Sequence, residues 1–466
     1  MAWLGETMRE PIAQVVDDDL CIGCGACAAV CPRHAIRLAL NHDGEYRPLV
    51  SRYLCIRNCS LCGKVCPFGK GVHDESALAT ALYGVQSGIQ WNEATGYLLA
   101  SHVGFVTDSR LRRASSSGGL ARWFLGSVLR RRHVDHVIAV VPGSEPGTLF
   151  KFAVIDNAEE VGRVAKSCYY PVEMSDVLAE VGRREGTYAI IGLPCFIKAI
   201  RLAARTNVRL RTRIQVVAGL VCGRTKNTFF GEYCCSLEGG LPSAMRALEF
   251  RVKDPARPAN DYGVSFDCSH GPVRRGKVSF SQVSPAWNRN YFTPNACAYC
   301  DDLFAEVGDV AFMDAWLDRF ITDDRGTSVA LVRSARARAI FEEGSANGEI
   351  DVRPLSLEEV LQAQAGALAF KRRGLAERLG AYRMLSWRRA PVKRVRPARV
   401  GLYRLVQLAA ERFLAQGSTR AFAATRNRAG VAAFERAIML RVALLKCINY
   451  LEVLTTRLLR RGRRAI

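Results

Sequence analysis

The chain has 466 residues, enough for two to four domains of ordinary size. Apolar residues make up 49% and charged residues 24%, which excludes long-range disorder and supports a sizeable core. The formal net charge is +22, and the 17 cysteines, an odd count in a long chain, argue against a secreted disulfide scaffold and for thiols as metal ligands. Met1 to Glu10 carries Glu6 and Glu10 and no apolar core, so no signal peptide is expected. No uncharged apolar run reaches the roughly 18 residues of a spanning helix. The expectation is a cytoplasmic, metal-bearing protein.

The first chemistry along the chain is Cys21-x2-Cys24-x2-Cys27-x3-Cys31-Pro32, a ferredoxin run. Closely spaced thiolates on a loop opened by Gly23 and Gly25 reach three irons of one cubane, and backbone N–H groups of such a loop stabilise its negative charge. A second run, Cys55-x3-Cys59-x2-Cys62-x3-Cys66-Pro67, has one extra residue in its first gap. By the crossing rule Cys21, Cys24, Cys27 and Cys66 hold one [4Fe–4S] cluster, and Cys31, Cys55, Cys59 and Cys62 the other. Zinc is the alternative occupant of such thiolates. The two Cys-Pro endings favour clusters.

Arg113-Ala-Ser-Ser-Ser-Gly-Gly119 precedes a predicted helix from Leu120 to Arg132. A Ser/Gly loop opening a helix can cradle phosphate, although it is also an ordinary cap and turn. A helix from Phe196 to Arg205 is expected after Tyr188 to Cys195, a buried strand ending in a Gly-x-Pro-Cys turn, and Val134 to Val141 is a short apolar strand. Ile214 to Cys222 is another. Ligand sites in α/β sheets lie at the carboxyl ends of strands, so Cys195 and Cys222 could share one. Cys297-x2-Cys300 supplies a pair at metal spacing. Buried cysteines also serve as small hydrophobes, which is the reading for Cys168, Cys234, Cys235, Cys268 and Cys447. Asp309 to Trp316 and Thr327 to Val332 are predicted strands, followed by a helix from Ser334 to Glu343. The fold class expected is α/β: an α+β ferredoxin-like start, an α/β middle and a mostly helical end.

The ordered set of Ser116-Ser-Gly-Gly119, Lys166-Ser-Cys-Tyr169, Ile191-Gly-Leu-Pro-Cys195, Val221-Cys-Gly223, Cys297-Ala-Tyr-Cys300 and Gly308 to Trp316 resembles the family of coenzyme F-420 hydrogenase/dehydrogenase beta subunits, with a ferredoxin domain fused in front. The resemblance implies an FAD-binding domain passing electrons between iron–sulfur clusters and a hydride-carrying partner. On it, Ser116, Ser117, Gly118 and Gly119 contact flavin phosphates, and Lys166 lies near the isoalloxazine as the catalytic cation. Cys195, Cys222, Cys297 and Cys300 hold a third cluster. Leu193, Gly223 and Asp314-Ala315 depart from the family pattern of Thr, His and Gly-Asp, so the resemblance does not extend to the substrate. The implied division is 1–75 double-cluster ferredoxin domain, 76–185 and 186–370 the two halves of the flavin-binding domain, and 371–466 a basic helical tail.

That tail holds 24 Lys and Arg against four acids, while residues 1–370 hold 42 bases and 40 acids. Val431, Phe434, Ile438, Val442, Leu445 and Ile448 form an apolar helical stripe with Arg436, Arg441, Lys446, Arg457, Arg460 and Arg461 around it. Three readings stand: a hairpin packed on the body, an in-plane helix on an anionic inner-membrane surface, or a dock for an acidic partner or nucleic acid. Scarce aromatics near the arginines disfavour nucleic acid. The function expected is an iron–sulfur flavoprotein oxidoreductase, exchanging electrons with ferredoxin or another one-electron partner and with a small-molecule or lipid-linked substrate. The rivals are an electron-transfer subunit serving a separate catalytic partner and a nucleic-acid-associated protein with structural clusters.

Overall fold

Several strands are apolar along their whole length, which demands cover on both faces. Every residue of Tyr188–Gly192 and Ser328–Val332 is buried. In a computed structural model, which describes residues 11–143, 148–268, 275–385, 393–426 and 430–462 without the side chains of 452–462, these strands belong to one eight-stranded sheet. Its order is Ile350–Pro354, Ala100–Val106, Ser328–Val332, Val310–Asp314, Ile214–Leu220, Tyr188–Gly192, His136–Pro142, Phe150–Ile155. The four strands from Val310–Asp314 to His136–Pro142 run parallel. The flanking strands are antiparallel, so the sheet is mixed.

Successive residues of each strand point to opposite faces. Ala189, Ile191, Val216 and Ala218 pack with Phe124, Val128 and Phe341 of helices Leu120–Arg130 and Ala335–Ala346. Tyr188, Ile190 and Val217 pack with Val177, Val181, Ile197 and Ile200 of helices Ser175–Arg183 and Pro194–Thr206. Helix Leu120–Arg130 stops where Arg132 turns left-handed, with φ +52°.

The N-terminal unit is a hairpin, Ile36–Leu40 with Tyr46–Val50, and two cysteine-bearing turns. It docks closely: Met174 N–H donates to Cys24 O at 3.0 Å, and Thr228 N–H to Gly44 O at 3.0 Å. At Gly25, φ +83°, a Cβ would meet Glu173 and Ser175 N at 2.8 Å or less, so glycine is required both by backbone conformation and by the close approach.

After helix Arg373–Leu385 the tail forms two antiparallel helices, Leu402–Thr425 and Ala432–Gly462. Of the stripe read from the sequence, Phe434 and Ile438 are buried in an aromatic cluster with Phe229, Phe230 and Phe292, while Val431, Val442 and Leu445 pack against it. The tail is thus a hairpin seated on the body, and that stripe is not a membrane face. Hydrophobic burial won because the body offers aromatic partners whose area is removed from water along with the stripe's own. Met1 to Glu10 and the side chains of Arg457, Arg460 and Arg461 lie outside the described residues. Among the described residues no helix is long and apolar enough to cross a membrane.

Part of the tail's positive charge is internal. Arg394 reaches Glu306 at 2.7 and 2.9 Å and Ser76 Oγ at 2.9 Å, and Lys393 lies 3.4 Å from Asp301. Glu75 pairs with Lys198 at 3.0 Å. Burial raises the cost of these charges, and mutual pairing offsets it.

Candidate cluster and cofactor site

The first ferredoxin loop wraps Cys21, Cys24 and Cys27 inward, and Cys66 of the second run joins them. Burial, then the neighbouring Cys66 and Cys21 thiols, raise the Cys24 thiol well above its usual range. Cys27 is raised by burial and then by Cys24, Cys21, Cys66 and Cys62. Cys66 is pushed up to about 12, chiefly by burial, with the Lys198 cation opposing. Cys62 is raised by burial and by Cys59 and Cys31. Cys55 is half-exposed, its Sγ 3.9 Å from Ile56 O.

The second thiol group forms at the ends of parallel strands. Cys195 sits in the first turn of helix Pro194–Thr206, and Cys222 lies two residues past strand Ile214–Leu220. Cys297 and Cys300 come from the 3₁₀ turn Asn295–Tyr299 and the residue after it. The Cys195 thiol is raised by burial and then by Cys300, Cys222 and Cys297, so the four share one locality. Cys222 is pushed up to about 12 by burial, against the Lys371 ammonium. That ammonium, itself buried, donates to Cys300 Sγ at 2.9 Å and to Asp302 O at 2.6 Å.

Grouped, buried thiols cannot all ionise beside one another, because each thiolate disfavours the next. A positively charged inorganic core removes that conflict, and thiolates are the donors such cores take. The donor sets therefore fit iron–sulfur clusters. Among the described residues no three His, Cys, Asp or Glu side chains form a single-ion site. A cubane instead takes one thiolate at each of four iron corners.

Between the two thiol groups lies a cavity of about 1050 Å³. Cys21, Glu45 and Tyr46 line it from the N-terminal unit, and Gly192, Leu193 and Cys222 from the strand ends. Ser116, Ser117 and Gly119 line it at the start of helix Leu120–Arg130. Gly119, φ +91°, gives that helix no side-chain cap, which leaves its first N–H groups to an outside acceptor. Gly118 is not a lining residue; a Cβ there would lie 2.5 Å from Gly104 O and 2.7 Å from Ser328 N, so this glycine lets the loop cross the sheet. Lys166 lines the cavity and pairs with Glu249 at 2.8 Å. Ser167 N–H donates to Ser116 Oγ at 2.8 Å, latching the two segments together.

Comparison with known proteins agrees with this layout. The model "Coenzyme F-420 hydrogenase/dehydrogenase, beta subunit N-term" matches residues 101–179, and its C-terminus counterpart matches 186–358. A 4Fe-4S dicluster domain matches 20–70. The chain belongs to the family of coenzyme F-420 hydrogenase/dehydrogenase beta subunits. It is 24% identical over 333 residues to one of the subunits of the F(420)H(2) dehydrogenase of Methanosarcina mazei, covering 68% of this chain and 84% of the relative. It is 26% identical over 192 residues to the coenzyme F-420-dependent sulfite reductase of Methanocaldococcus jannaschii, covering 40% of this chain but only 26% of that protein. A chain of the F-420-reducing [NiFe] hydrogenase complex of Methanosarcina barkeri aligns at TM-score 0.48 and 14% identity, over 65% of this chain and 99% of that one.

The chain is therefore an iron–sulfur member of this oxidoreductase family. Asp314, at the end of strand Val310–Asp314, pairs with buried Arg251, whose guanidinium stacks on Tyr262 at 4.0 Å and Trp316 at 4.9 Å and donates to Ser116 O at 3.3 Å. The pair thus props the Ser116 loop from beneath. Three cations that no local pattern of residues singles out, Arg251, Lys371 and Lys226, emerge from the fold. Lys226 is buried in the cavity wall, donating to Tyr291 O at 2.7 Å and Thr293 Oγ1 at 2.9 Å, and burial lowers its pKa. Of the cysteines read as ordinary thiols, Cys234, Cys235 and Cys268 are buried, Cys235 Sγ standing 3.4 Å from Cys268 Sγ, and Cys447 is exposed. Cys168 is a lining residue of the cavity.

Proposed function

We propose that the protein is an iron–sulfur flavoprotein oxidoreductase that relays electrons between [4Fe–4S] clusters and FAD, with hydride exchange to the deazaflavin coenzyme or another small or lipid-linked substrate. The observation that carries this reading is the single cavity walled by Cys21 from one thiol group and Cys222 from the other. Its volume, about 1050 Å³, suits a ligand at the upper end of the usual size range. Cys21, Cys24, Cys27 and Cys66 would hold the inner ferredoxin cluster, Cys31, Cys55, Cys59 and Cys62 the outer, and Cys195, Cys222, Cys297 and Cys300 the third. FAD, when bound, supplies the means to pool single electrons and pass them on as a pair.

The chain's own residues do the rest. Ser116, Ser117, Gly119 and the open N-terminus of helix Leu120–Arg130 would receive the diphosphate, where N–H groups and the helix dipole favour negative charge. Lys166 would set a cation beside the ring system, favouring its reduced, negative form. Lys371 donates to Cys300 Sγ, and a hydrogen bond to a ligand sulfur favours the reduced cluster. Tyr53, Leu54 and Ile56 stand exposed in front of Cys55, an apolar tip suited to a one-electron partner such as ferredoxin.

Reduced ferredoxin added without oxygen should bleach the bound flavin's absorption; iron that reduces while the flavin stays oxidised would contradict the relay. Lys166→Met should shift the flavin's reduction equilibrium about tenfold toward the oxidised form, about 30 mV for a two-electron couple. Spectroelectrochemical titration measures it. An unchanged midpoint would place Lys166 away from the ring.

A further inference from the structure

The C-terminal hairpin has a second apolar face that the described residues of the body do not cover. Nine of the 18 large apolar side chains exposed among the described residues lie on the hairpin as a whole. Leu440, 80% exposed, Leu444, Cys447 and Leu451 follow one another at steps of four, three and four along the outward side of helix Ala432–Gly462. Phe434 and Ile438 of the same helix face the body and are buried. The partner helix continues the outward surface with exposed Val406 and Phe413, for the Arg441 guanidinium lies 4.6 Å over the Phe413 ring and Gln407 Nε2 donates to Asn449 Oδ1 at 2.8 Å. Exposed apolar area of this extent on one element marks an interaction surface.

Charge selects the occupant. From Gly401 to Leu451 there are eight Lys or Arg and two acids, and one of those acids, Glu411, is engaged by Arg404 at 3.1 Å. Exposed Arg420, Arg436 and Lys446 fringe the apolar face. A second copy would bring like charges together, whereas an anionic lipid surface accepts both the cations and the aliphatic chains. We propose that this outward hairpin face seats the protein on anionic phospholipid headgroups, with Leu440, Leu444, Leu451 and Phe413 entering the acyl boundary.

The test is flotation of the full-length, iron-loaded protein with vesicles of phosphatidylglycerol and phosphatidylcholine, against phosphatidylcholine alone. The protein should float with the anionic vesicles, and raised salt should weaken it. Leu440→Glu with Leu444→Glu should cut the floated fraction about tenfold or more, since both the apolar contact and the local charge are lost. Iron content and unfolding midpoint should stay as in the wild type, because both side chains face solvent. Flotation that survives the double substitution, equal flotation with phosphatidylcholine alone, or no flotation at all would each overturn the proposal. So would a dimer on sizing that the double substitution dissolves, which would assign the face to a second copy.

Discussion

A Cys222→Ala/Cys300→Ala variant is expected to hold about four fewer iron atoms per chain than the wild type, with its FAD retained. Cys222 follows a central parallel strand and reaches the cavity, while Cys300 takes the Lys371 hydrogen bond. Two thiolates cannot hold a cubane that needs four. The eight N-terminal thiols are untouched, so the loss should stop at one cluster. Lys371 keeps its bond to Asp302 O, which limits the structural damage. Flavin reduction by ferredoxin should slow sharply because the cluster beside the cavity is gone. Iron analysis with low-temperature EPR reads the result. Unchanged iron would return Cys195, Cys222, Cys297 and Cys300 to the role of core thiols.

Arg394→Met is expected to destabilise the protein by about 3–5 kcal/mol, the usual consequence of breaking a buried ion pair from one side. Among the described residues Glu306, 2% exposed, would keep the Arg372 cation at 3.3 Å, and Asp301 the Lys393 cation at 3.4 Å and the backbone N–H of residue 394. The arginine also joins three stretches of chain, through Ser76, Glu306 and the backbone at Arg394 itself, where N–H donates to Asp301 at 3.3 Å. Urea denaturation followed by circular dichroism measures the loss. Arg338→Met is the control: its Glu342 partner is exposed at 3.6 Å, so the change should stay within about 0.5 kcal/mol. A loss below about 1 kcal/mol at Arg394 would contradict the view that this network fastens the tail to the body.

The contrast between these sites shows which features are legible from residues alone. The two ferredoxin runs are local in sequence, and spacing of two or three residues carries their geometry. The strands before Cys195 and Cys222 are legible because wholly apolar runs have few other fates. Longer-range features are not legible in this way. Lys371 meets Cys300 across 71 positions, and Arg251 meets Asp314 across 63, with no pattern linking either pair. The antiparallel flanks of the sheet depend on pairings of the same kind. Ser-Ser-Gly-Gly identifies a turn but not the division of labour within it, where Gly119 takes the positive φ and faces the cavity while Gly118 clears the sheet. The tail shows a subtler gap. Its apolar stripe correctly signals a buried face, but periodicity does not name the partner, and the aromatic cluster of the body claims it. The surface left facing outward, through Leu440 and Leu444, follows a second register of the same helix.

The central claim, that three clusters and a flavin share this chain, meets its most direct test in iron and flavin quantification of anaerobically purified full-length protein, read beside its ultraviolet–visible spectrum. The account predicts about 12 iron atoms and about one FAD per chain. About eight iron atoms with flavin would remove the third cluster, and protein that carries iron but binds no flavin would contradict the account.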